Sequence, residues 1–352
     1  MIDFSSPETH LLLNPRMPDD ERRRLEQLHA SVPALAGHIW LATSGTTGSI
    51  KLVALSKPAM LASAAAVNAH LDAAREDVWC CVLPRFHVGG LSIYARAFTA
   101  GATVRTEDWE PRRFARGGFT LASLVPAQVR DLVQAALPSP PGVRAVAVGG
   151  GAMSRELYRS ARDLGWPILP SYGLTEAASQ VATATVESEA LRILRHVEVR
   201  EIDGALALRG PSLLTGYAMF DDRGQPLFAD PKRDGWFVTE DRGEVVGGVL
   251  RIQGRAGAFI KIGGESVDLL RLDGVLESVR GEVDAALVAL PDERLGFVIH
   301  LAAAAADAGE IVERFNARVL PFERIRAVHR VEAIPRTALG KVRRAELTER
   351  LR

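Results

Sequence analysis

A run of small polar residues near the start of the chain could bind an anion. Residues 43–48 read Thr-Ser-Gly-Thr-Thr-Gly, and Lys51 follows three positions later. Successive backbone N–H groups in a glycine-rich turn form a concave anion site, and short hydroxyl side chains add donors without blocking access. The run lacks the Gly-Lys-Ser/Thr ending of a Walker A loop, and taken alone it is more often a polar turn between two strands. The candidate phosphate-binding residues are Thr43, Ser44, Gly45, Thr46, Thr47, Gly48 and Lys51.

Three later segments carry side chains suited to nucleotide chemistry. They are Ser-Tyr-Gly-Leu-Thr-Glu at 171–176, Thr-Glu-Asp at 239–241 followed by Arg255, and Pro-Arg-Thr-Ala-Leu-Gly-Lys at 335–341. A carboxylate suits Mg²⁺, a hard cation that takes oxygen ligands. Another carboxylate can accept two hydrogen bonds from a vicinal diol. A mobile ammonium stabilises a phosphorus centre that gains negative charge.

In this order and with this spread, the four segments resemble the motifs of the adenylate-forming acyl/aryl-CoA synthetase superfamily. The resemblance extends from about Ile39 to Leu347, nearly the whole chain. It implies that the chain activates a carboxylic acid with ATP to an acyl-adenylate, with ATP, Mg²⁺ and CoA as cofactors. It also implies the α/β fold of acyl-CoA synthetases and luciferase, in which a large N-terminal α/β domain with a β-rich subdomain precedes a small mobile α+β domain.

The resemblance assigns a role to each candidate residue in the ATP site. The first loop would hold the β- and γ-phosphates, with Lys51 beside it. Tyr172 would stack on adenine, Thr175 would contact the phosphate, and Glu176 would help to hold Mg²⁺. The other implied ATP-site residues are Gly149, Gly150 and Gly151 at the adenine, Ser171 and Gly173 beside the tyrosine, and Asp241 and Arg255 at the ribose hydroxyls.

Lys341 occupies the position of the lysine that enters the site during adenylation in this superfamily. Because this lysine belongs to the C-terminal domain, the resemblance implies two orientations of that domain, one for adenylation and one that opens a path for the CoA thiol. The chain departs from the usual pattern at three places. Ile50 and Leu52 replace Pro and Gly beside Lys51, Glu240 replaces a glycine, and Ala-Gly-Ala at 256–258 replaces the hinge acid or lysine. We expect Gly257 to serve as the hinge and 263–265 to line the CoA channel.

Residues 84–91, Pro-Arg-Phe-His-Val-Gly-Gly-Leu, match the segment at the acyl pocket of the superfamily, where His87 would gate or line the carboxylate end. Several runs are most similar to the short-form o-succinylbenzoate-CoA ligases of menaquinone biosynthesis: 122–128, 171–179, 235–237 and 241–244. Their substrate carries a second carboxylate, which needs a cation or another donor. Arg85, Arg96 and Arg130 are candidates for that role, and the sequence does not rank them.

Two other functions remain open at this point. The chain could activate another aryl or short acyl carboxylate, or could pass the acyl group to a carrier-protein thiol instead of CoA. It could also be a nucleotide-binding relative without turnover. The presence of Lys341, Glu176 and Asp241 favours a catalyst.

The hydrophobic pattern predicts the elements that position these residues. Up to about Leu164, strand-length apolar runs alternate with helical runs, which predicts a mostly parallel sheet covered by helices. Ser56 and Pro58 indicate the start of an alanine-rich helix that ends near Ala74. We expect residues 175–184 to be helical. The other predicted elements are helices over 19–30, 89–100, 127–136 and 154–164, and strands over 39–43, 78–83, 102–106, 119–125, 143–148 and 167–169.

The pattern changes near His196 to short strands separated by turn dipeptides, which predicts hairpins or a small barrel. The dipeptides are Asp203-Gly204, Arg223-Gly224 and Gly247-Gly248. We therefore expect an N-terminal adenylate-forming domain over 1–254, with a β-rich part over 196–254, and a mobile C-terminal domain over 255–352.

Composition restricts the class of binding partner that we expect, but it does not indicate which reaction the chain catalyses. The chain has 352 residues, 47% of them apolar, and its 43 Lys and Arg balance 43 Asp and Glu. No global charge therefore favours nucleic acid or an anionic membrane, and we expect small-molecule partners. The adjacent Cys80 and Cys81 indicate reduced core residues of a cytoplasmic protein. The phosphate loop begins earlier than in larger synthetases, so part of the sheet would need cover, and a homodimer is the predicted way to supply it.

Overall fold

The computed structural model describes residues 2–17, 19–44, 50–151, 153–221, 223–255, 259–262, 265–292, 295–304, 308–337 and 340–351. Helices and strands alternate through the first half, and strands dominate the middle of the chain. The α-helices are α1 Asp19–Ala30, α2 Lys57–Leu71, α3 Val88–Ala100, α4 Pro111–Phe114, α5 Pro126–Gln134, α6 Arg155–Asp163, α7 Leu269–Val279, α8 Gly309–Asn316 and α9 Arg344–Leu351.

The strands form three sheets. In chain order they are β1 His10–Leu12, β2 His38–Ser44, β3 Ile50–Ser56, β4 Val78–Cys81, β5 Thr103–Thr106, β6 Leu121–Leu124, β7 Ala145–Val148, β8 Ile168–Leu174, β9 Ser179–Thr183, β10 Leu191–Ile193, β11 Glu198–Ile202, β12 Ala205–Arg209, β13 Gly216–Phe220, β14 Pro226–Ala229, β15 Phe237–Val246, β16 Val249–Arg255, β17 Phe259–Ile262, β18 Glu265–Asp268, β19 Ala285–Asp292, β20 Gly296–Ala303 and β21 Ile325–Arg330.

The largest sheet has eleven strands in the order β11-β12-β15-β16-β10-β9-β8-β7-β6-β4-β5. The five strands from β8 to β5 pair in parallel, as predicted for the alternating half of the chain. Beyond β8, the pairs β8-β9, β9-β10, β10-β16 and β11-β12 are antiparallel, so the sheet as a whole is mixed. Strands β6 and β7 are buried throughout, because helices cover a parallel sheet on both faces.

The predicted start of the second helix is confirmed. Ser56 Oγ accepts a hydrogen bond from the Ala59 N–H at 3.1 Å, and Pro58 lies in the first turn. The helix ends at Leu71, where Asp72 takes a left-handed conformation with φ 48°. The pattern therefore predicted the helix correctly and extended its end slightly too far.

The prediction that residues 175–184 are helical was wrong. Only Thr175–Ala177 forms a 3₁₀ turn, and Ser179–Thr183 forms the buried strand β9, antiparallel to β8. Ala178 and Ser179 have φ values of 55° and 128°, which a continuing helix does not allow. The alanines favoured a helix locally, but burial of every residue of β9 between β8 and β10 outweighed that preference.

The predicted hairpins of the middle segment are present. Strands β11 and β12 join through Asp203 and Gly204, which have φ values of 50° and 78°. Two consecutive residues with positive φ give the turn that matches the twist of a two-stranded ribbon. Gly247 and Gly248 likewise connect β15 to β16.

The chain divides into two compact units. The first contains 1–150, 159–239 and 243–251, and the second contains 151–158, 240–242 and 252–352. In the second unit, α7 and α8 pack on one face of the sheet β18-β17-β20-β19 with β21, and α9 packs on the other. Cys80 and Cys81 are free and buried in the first unit. Among the described residues, no helix is long and apolar enough to cross a bilayer.

Candidate nucleotide and acyl site

The carboxyl ends of four neighbouring parallel strands bring several candidate residues to one edge of the large sheet. These strands are β4, β6, β7 and β8. His87 lies in the segment between β4 and α3, Gly149 directly follows β7, and Tyr172 lies in β8 beyond the residues that pair with β7. Ligands of open α/β sheets bind outside the carboxyl ends of the strands. The sheet order thus puts these sequence-distant residues where a ligand would bind.

Gly149 and Ser171 meet at this edge. The Gly149 N–H donates to the Leu124 carbonyl at 3.1 Å, and Ser171 Oγ donates to the Val148 carbonyl at 3.0 Å. A Cβ atom on Gly149 would lie 2.9 Å from Ser171 Oγ. Gly150 follows with φ 79°, a left-handed conformation that favours glycine. The two glycines therefore let the end of β7 pass close to Ser171 and then turn.

Gly173 allows another close approach. A Cβ atom at this position would lie 2.1 Å from the Ser179 carbonyl oxygen, closer than any side chain tolerates. The strand pairing is irregular here, between Tyr172 and Gly173. Gly173 thus lets β8 and β9 come together directly after Tyr172.

The Glu176 carboxylate is held by a residue that the sequence reasoning missed. Tyr217 Oη donates to Glu176 Oε1 at 2.8 Å, and Tyr217 is only 6% exposed. The Glu176 carbonyl also accepts a hydrogen bond from the Leu214 N–H at 2.8 Å. A buried tyrosine needs a partner for its hydroxyl, but its sequence gives no indication of which residue that is. Both the backbone and the side chain of Glu176 are therefore fixed by the segment around β13.

Lys51 also contacts Tyr217, the residue that donates a hydrogen bond to Glu176. Strands β2 and β3 form a hairpin with Thr43 opposite Lys51, so the candidate phosphate loop is the connection between two strands. The Lys51 ammonium lies 3.8 Å from the centre of the Tyr217 ring, within cation–π range. Thr43 Oγ1 is buried and has no hydrogen-bond partner among the described residues. Residues Gly45, Thr46, Thr47 and Gly48 lie outside the described residues.

The segment before α3 needs glycine for a packing reason. His87 is the N-cap residue of α3, and the rings of Phe86 and His87 lie 4.6 Å apart. A Cβ atom on Gly90 would lie 2.3 Å from the Pro84 carbonyl oxygen. Gly90 therefore lets the first turn of α3 press against the chain that precedes His87.

The three arginine candidates for a substrate carboxylate differ in burial. Arg85 is exposed and Arg130 is half-buried, whereas Arg96 is 1% exposed. Arg96 donates from Nη1 to Ser123 Oγ and from Nη2 to Ser179 Oγ, both at 3.1 Å. Burial lowers the pKa of the Arg96 guanidinium to about 10, so it stays protonated at neutral pH.

Arg96 is a buried cation without a carboxylate partner among the described residues. Its neighbours are two hydroxyls and the Trp79 ring, whose centre lies 5.3 Å from the guanidinium carbon. Its Nε atom is buried and has no hydrogen-bond partner within the described part of the chain. A charge in this environment is costly unless an anion joins it, and this requirement distinguishes Arg96 from the other two arginines.

The remaining candidates belong to the second unit or to its boundary. Asp241 lies on β15, Arg255 ends β16, and Gly151 begins the short segment 151–158. Lys341 is exposed and follows Gly340 in a turn whose flanks, Arg336 and Val342, form an antiparallel bridge. The predicted hinge at 256–258 and the glycines at 263 and 264 lie outside the described residues.

Comparison with known proteins gives a family and several relatives. Residues 38–218, about half of the chain, match the family of AMP-binding enzymes. A 2-succinylbenzoate-CoA ligase of Listeria monocytogenes is 30% identical over 325 residues, 88% of this chain and 69% of the relative. The Escherichia coli K12 ligase of that name is 34% identical over 72% of this chain and 55% of its own.

Solved structures that are similar to this chain include o-succinylbenzoate CoA synthetases, as the sequence relatives do. E. coli MenE, an R195K variant with bound OSB-AMS, has a TM-score of 0.78 and 26% identity over 97% of this chain and 81% of its own. Bacillus subtilis o-succinylbenzoate CoA synthetase in complex with the acyl-adenylate OSB-AMP has a TM-score of 0.78 and 25% identity over 88% and 68%. The same enzyme with ATP and a magnesium ion has a TM-score of 0.77. The predicted fold class is therefore confirmed.

Proposed function

The chain belongs to the AMP-binding enzyme family, and from that membership we propose that it ligates o-succinylbenzoate to CoA in menaquinone biosynthesis. The acid and ATP give the acyl-adenylate and pyrophosphate, and the CoA thiol then displaces AMP to form the thioester. The observation that best supports the adenylation step is that Lys51 and Glu176 both contact Tyr217, next to the hairpin of β2 and β3. The choice of acid is supported by relatives of that activity, which align over most of the chain.

The described residues fit a magnesium nucleotide. Glu176 offers a carboxylate that accepts a hydrogen bond from the Tyr217 hydroxyl, and Mg²⁺ sites commonly combine one carboxylate with phosphate oxygens and water. The Thr43 hydroxyl has no hydrogen-bond partner among the described residues and is suited to donate to a phosphate oxygen. When bound, Mg²⁺ would supply positive charge to the triphosphate oxygens. Lys51 would add charge from its strand, and the glycines at 149 and 150 would receive the adenine.

The other ATP-site roles are part of the same proposal. Tyr172 stacks on adenine, Thr175 contacts phosphate, Asp241 and Arg255 bind the ribose hydroxyls, and His87 lines the carboxylate end of the acyl pocket. Lys341 stabilises the negative charge that develops between the substrate carboxylate and the α-phosphate. The proposed domains are 1–254 and 255–352, with rotation near Gly257 placing or withdrawing Lys341.

We assign the second carboxylate of the substrate to Arg96. Its guanidinium is buried, keeps its charge at neutral pH and has an Nε donor without a partner within the described part of the chain. A carboxylate that reaches this charge would exchange its hydration for a charge-assisted hydrogen bond. Acids with a single carboxylate would leave the charge uncompensated, which would select for a dicarboxylate.

A homodimer remains the proposed assembly. Phe98 on α3 is 51% exposed beside Phe4, with ring centres 5.7 Å apart, and Leu227 on the edge strand β14 is 45% exposed. Either apolar surface would gain from burial against a second copy. Sedimentation at increasing concentration tests this, and a monomer at every concentration would rule it out.

The decisive experiment measures pyrophosphate release with ATP and Mg²⁺, with o-succinylbenzoate set beside benzoate, salicylate and hexanoate, each with and without CoA. We expect release that is selective for o-succinylbenzoate, and thioester only when CoA is present. Selective release with another acid would retain the family chemistry and reject the assigned substrate. Pyrophosphate release without thioester in the presence of CoA would reject CoA as the acceptor, and release with none of these acids would reject the ligase as proposed.

A further inference from the structure

The turn that carries Lys341 is closed by its own backbone. The Thr337 N–H donates to the Lys341 carbonyl at 2.7 Å, and the Gly340 N–H donates to the Thr337 carbonyl at 2.9 Å. The Lys341 N–H donates to Thr337 Oγ1 at 3.2 Å. Gly340 has φ 77°, so the residue before the lysine takes a conformation that favours glycine. The Lys341 backbone is thus a defined position on a tight turn.

A guanidinium ties this turn to the rest of the second unit. Arg336 Nη1 donates to the Gly340 carbonyl at 3.0 Å, and its Nη2 donates to Asp284 Oδ1 at 2.5 Å. One arm of the guanidinium therefore holds the peptide group that joins Gly340 to Lys341. The other arm holds a carboxylate that is 52 positions away in the sequence.

Asp284 is itself fixed to the sheet. Its carbonyl accepts a hydrogen bond from the Ala304 N–H at 2.8 Å, and β19 begins at the next residue. Its second carboxylate oxygen accepts a hydrogen bond from the Ile334 N–H at 3.3 Å. Ile334 is 5% exposed and packs against β19, β20 and α9. The Asp284 carboxylate thus connects the start of β19 with the chain that leads to Lys341.

We propose that Asp284 and Arg336 are positioning residues for adenylation, because together they fix the turn that presents Lys341. The proposal rests on the proposed function, in which Lys341 acts in adenylation and is withdrawn for thioester formation. Neither residue needs to contact substrate. The side chains of Asp284 and Arg336, which we call the clamp, keep the Lys341 backbone in one place relative to the sheet of the second unit.

The geometry of the guanidinium accounts for this role better than its charge does. Asp284 and Arg336 are partly exposed, with side chains 42% and 29% accessible, so their Coulombic attraction alone contributes little. A planar guanidinium has several donors in fixed directions and can hold the carbonyl and the carboxylate at the same time. A lysine at 336 would keep the charge but could not reproduce both hydrogen bonds. Arg336→Lys therefore separates geometry from charge.

The first test measures the two half-reactions separately in Arg336→Lys and Asp284→Asn. We expect pyrophosphate release with o-succinylbenzoate to slow about 10- to 100-fold, because small displacements of a catalytic group have effects of this size. Thioester formation from synthetic acyl-adenylate and CoA should stay within about twofold of wild type. The matched control is Arg343→Gln, since the Arg343 side chain pairs with Glu346 at 3.7 Å and is outside the clamp. Equal slowing of both half-reactions, or none, would overturn the proposal.

A second test removes the lysine itself. In a Lys341→Ala background, Arg336→Lys should cause no further loss of adenylation, because the turn then presents no ammonium. A purely structural role for Arg336 would instead give the same additional loss in both backgrounds. Thermal unfolding of each variant identifies those that have lost the fold.

Hydrogen exchange tests the clamp without any substrate. The amides of Thr337, Gly340 and Lys341 should exchange about tenfold faster in Arg336→Lys, while those of α9 keep the wild-type rate. Unchanged exchange in the turn would overturn the proposal even if activity fell. A wild-type enzyme that releases no pyrophosphate with any acid would reject the proposed function, and hydrogen exchange would still decide whether the clamp exists.

Discussion

Lys51 in the first unit and Lys341 in the second are held in different ways. Lys51 lies on β3, which pairs with β2 on one side and β13 on the other, and its ammonium rests on the ring of Tyr217. Lys341 is exposed, and the guanidinium of Arg336 connects the carbonyl of the preceding Gly340 to Asp284. A cation that stays in one place can be part of a sheet. Under the proposed function Lys341 moves with its domain, and such a cation needs a clamp that moves with it.

The first prediction removes Lys341, the cation that we propose moves into the site. Lys341→Ala should slow pyrophosphate release about 100- to 1,000-fold, the usual effect of removing a group that stabilises developing negative charge. ATP binding, measured by calorimetry, should change little, because the other proposed ATP ligands remain. Wild-type adenylation by this variant would remove Lys341 from the mechanism.

The second prediction concerns the buried cation of the first unit. Arg96→Met should lower kcat/KM for o-succinylbenzoate about 100-fold, because the substrate carboxylate would then be buried without its charged partner. The variant should fold, since an apolar residue of similar length often replaces a buried charge without loss of stability.

The matched comparison for Arg96 is the same change at Arg85, which is exposed. Arg85→Met should keep the wild-type preference for o-succinylbenzoate over benzoate. If the preference is lost in Arg85→Met and kept in Arg96→Met, the assignment of the second carboxylate is wrong.

The third prediction removes the hydrogen bond that supports Glu176 and leaves the charged groups of Glu176 and Lys51 in place. Tyr217→Phe keeps the ring that Lys51 contacts and removes the hydroxyl that donates to Glu176. Loss of one hydrogen bond to a charged group should raise KM for magnesium ATP about tenfold, with a smaller change in kcat. Tyr158→Phe, on α6, is the control and should behave as wild type. An unchanged KM would show that the Glu176 carboxylate needs no support.

The last prediction concerns stability rather than catalysis in the first unit. Burial and the neighbouring Arg195 lower the pKa of His196 to about 4, from its ordinary value near 6.5. The unfolded chain therefore takes up a proton at higher pH than the folded chain does, so stability is full above pH 6.5 and is lost as pH falls towards 4.

Denaturant unfolding between pH 7 and 4 tests this prediction. The loss attributable to His196 should reach roughly 3 kcal/mol and should be absent in His196→Asn. Asp77 contributes little in this window. Although its burial raises its pKa, hydrogen bonds from Arg144 and Thr120 lower the pKa to about 2, so its contribution is lost mainly below the unfolded value near 3.8. An identical pH dependence in both proteins would contradict the prediction.

Residue types pointed to the candidate site residues but not to the partners that hold them. Glu176, Lys51 and Lys341 were identified from their motifs, because each motif is a short run of suitable residues. Tyr217 was missed because its partner Glu176 is 41 positions away. Asp284 is separated from Arg336 by 52 positions, and an acidic residue before a strand is not distinctive by itself. Sequence periodicity contains no information about such pairings.

The sequence by itself determined the order of elements in the alternating half, the hairpins of the middle segment and the identity of the candidate catalytic residues. Spacing, turn residues and hydrophobic period are local properties, so they can be read along the chain. Only the tertiary structure decided that residues 179–183 form a strand, that Arg96 rather than Arg85 is buried, and which side chains hold Glu176 and the Lys341 turn. These outcomes depend on burial and on contacts between distant segments, which exist only once the sheets have formed.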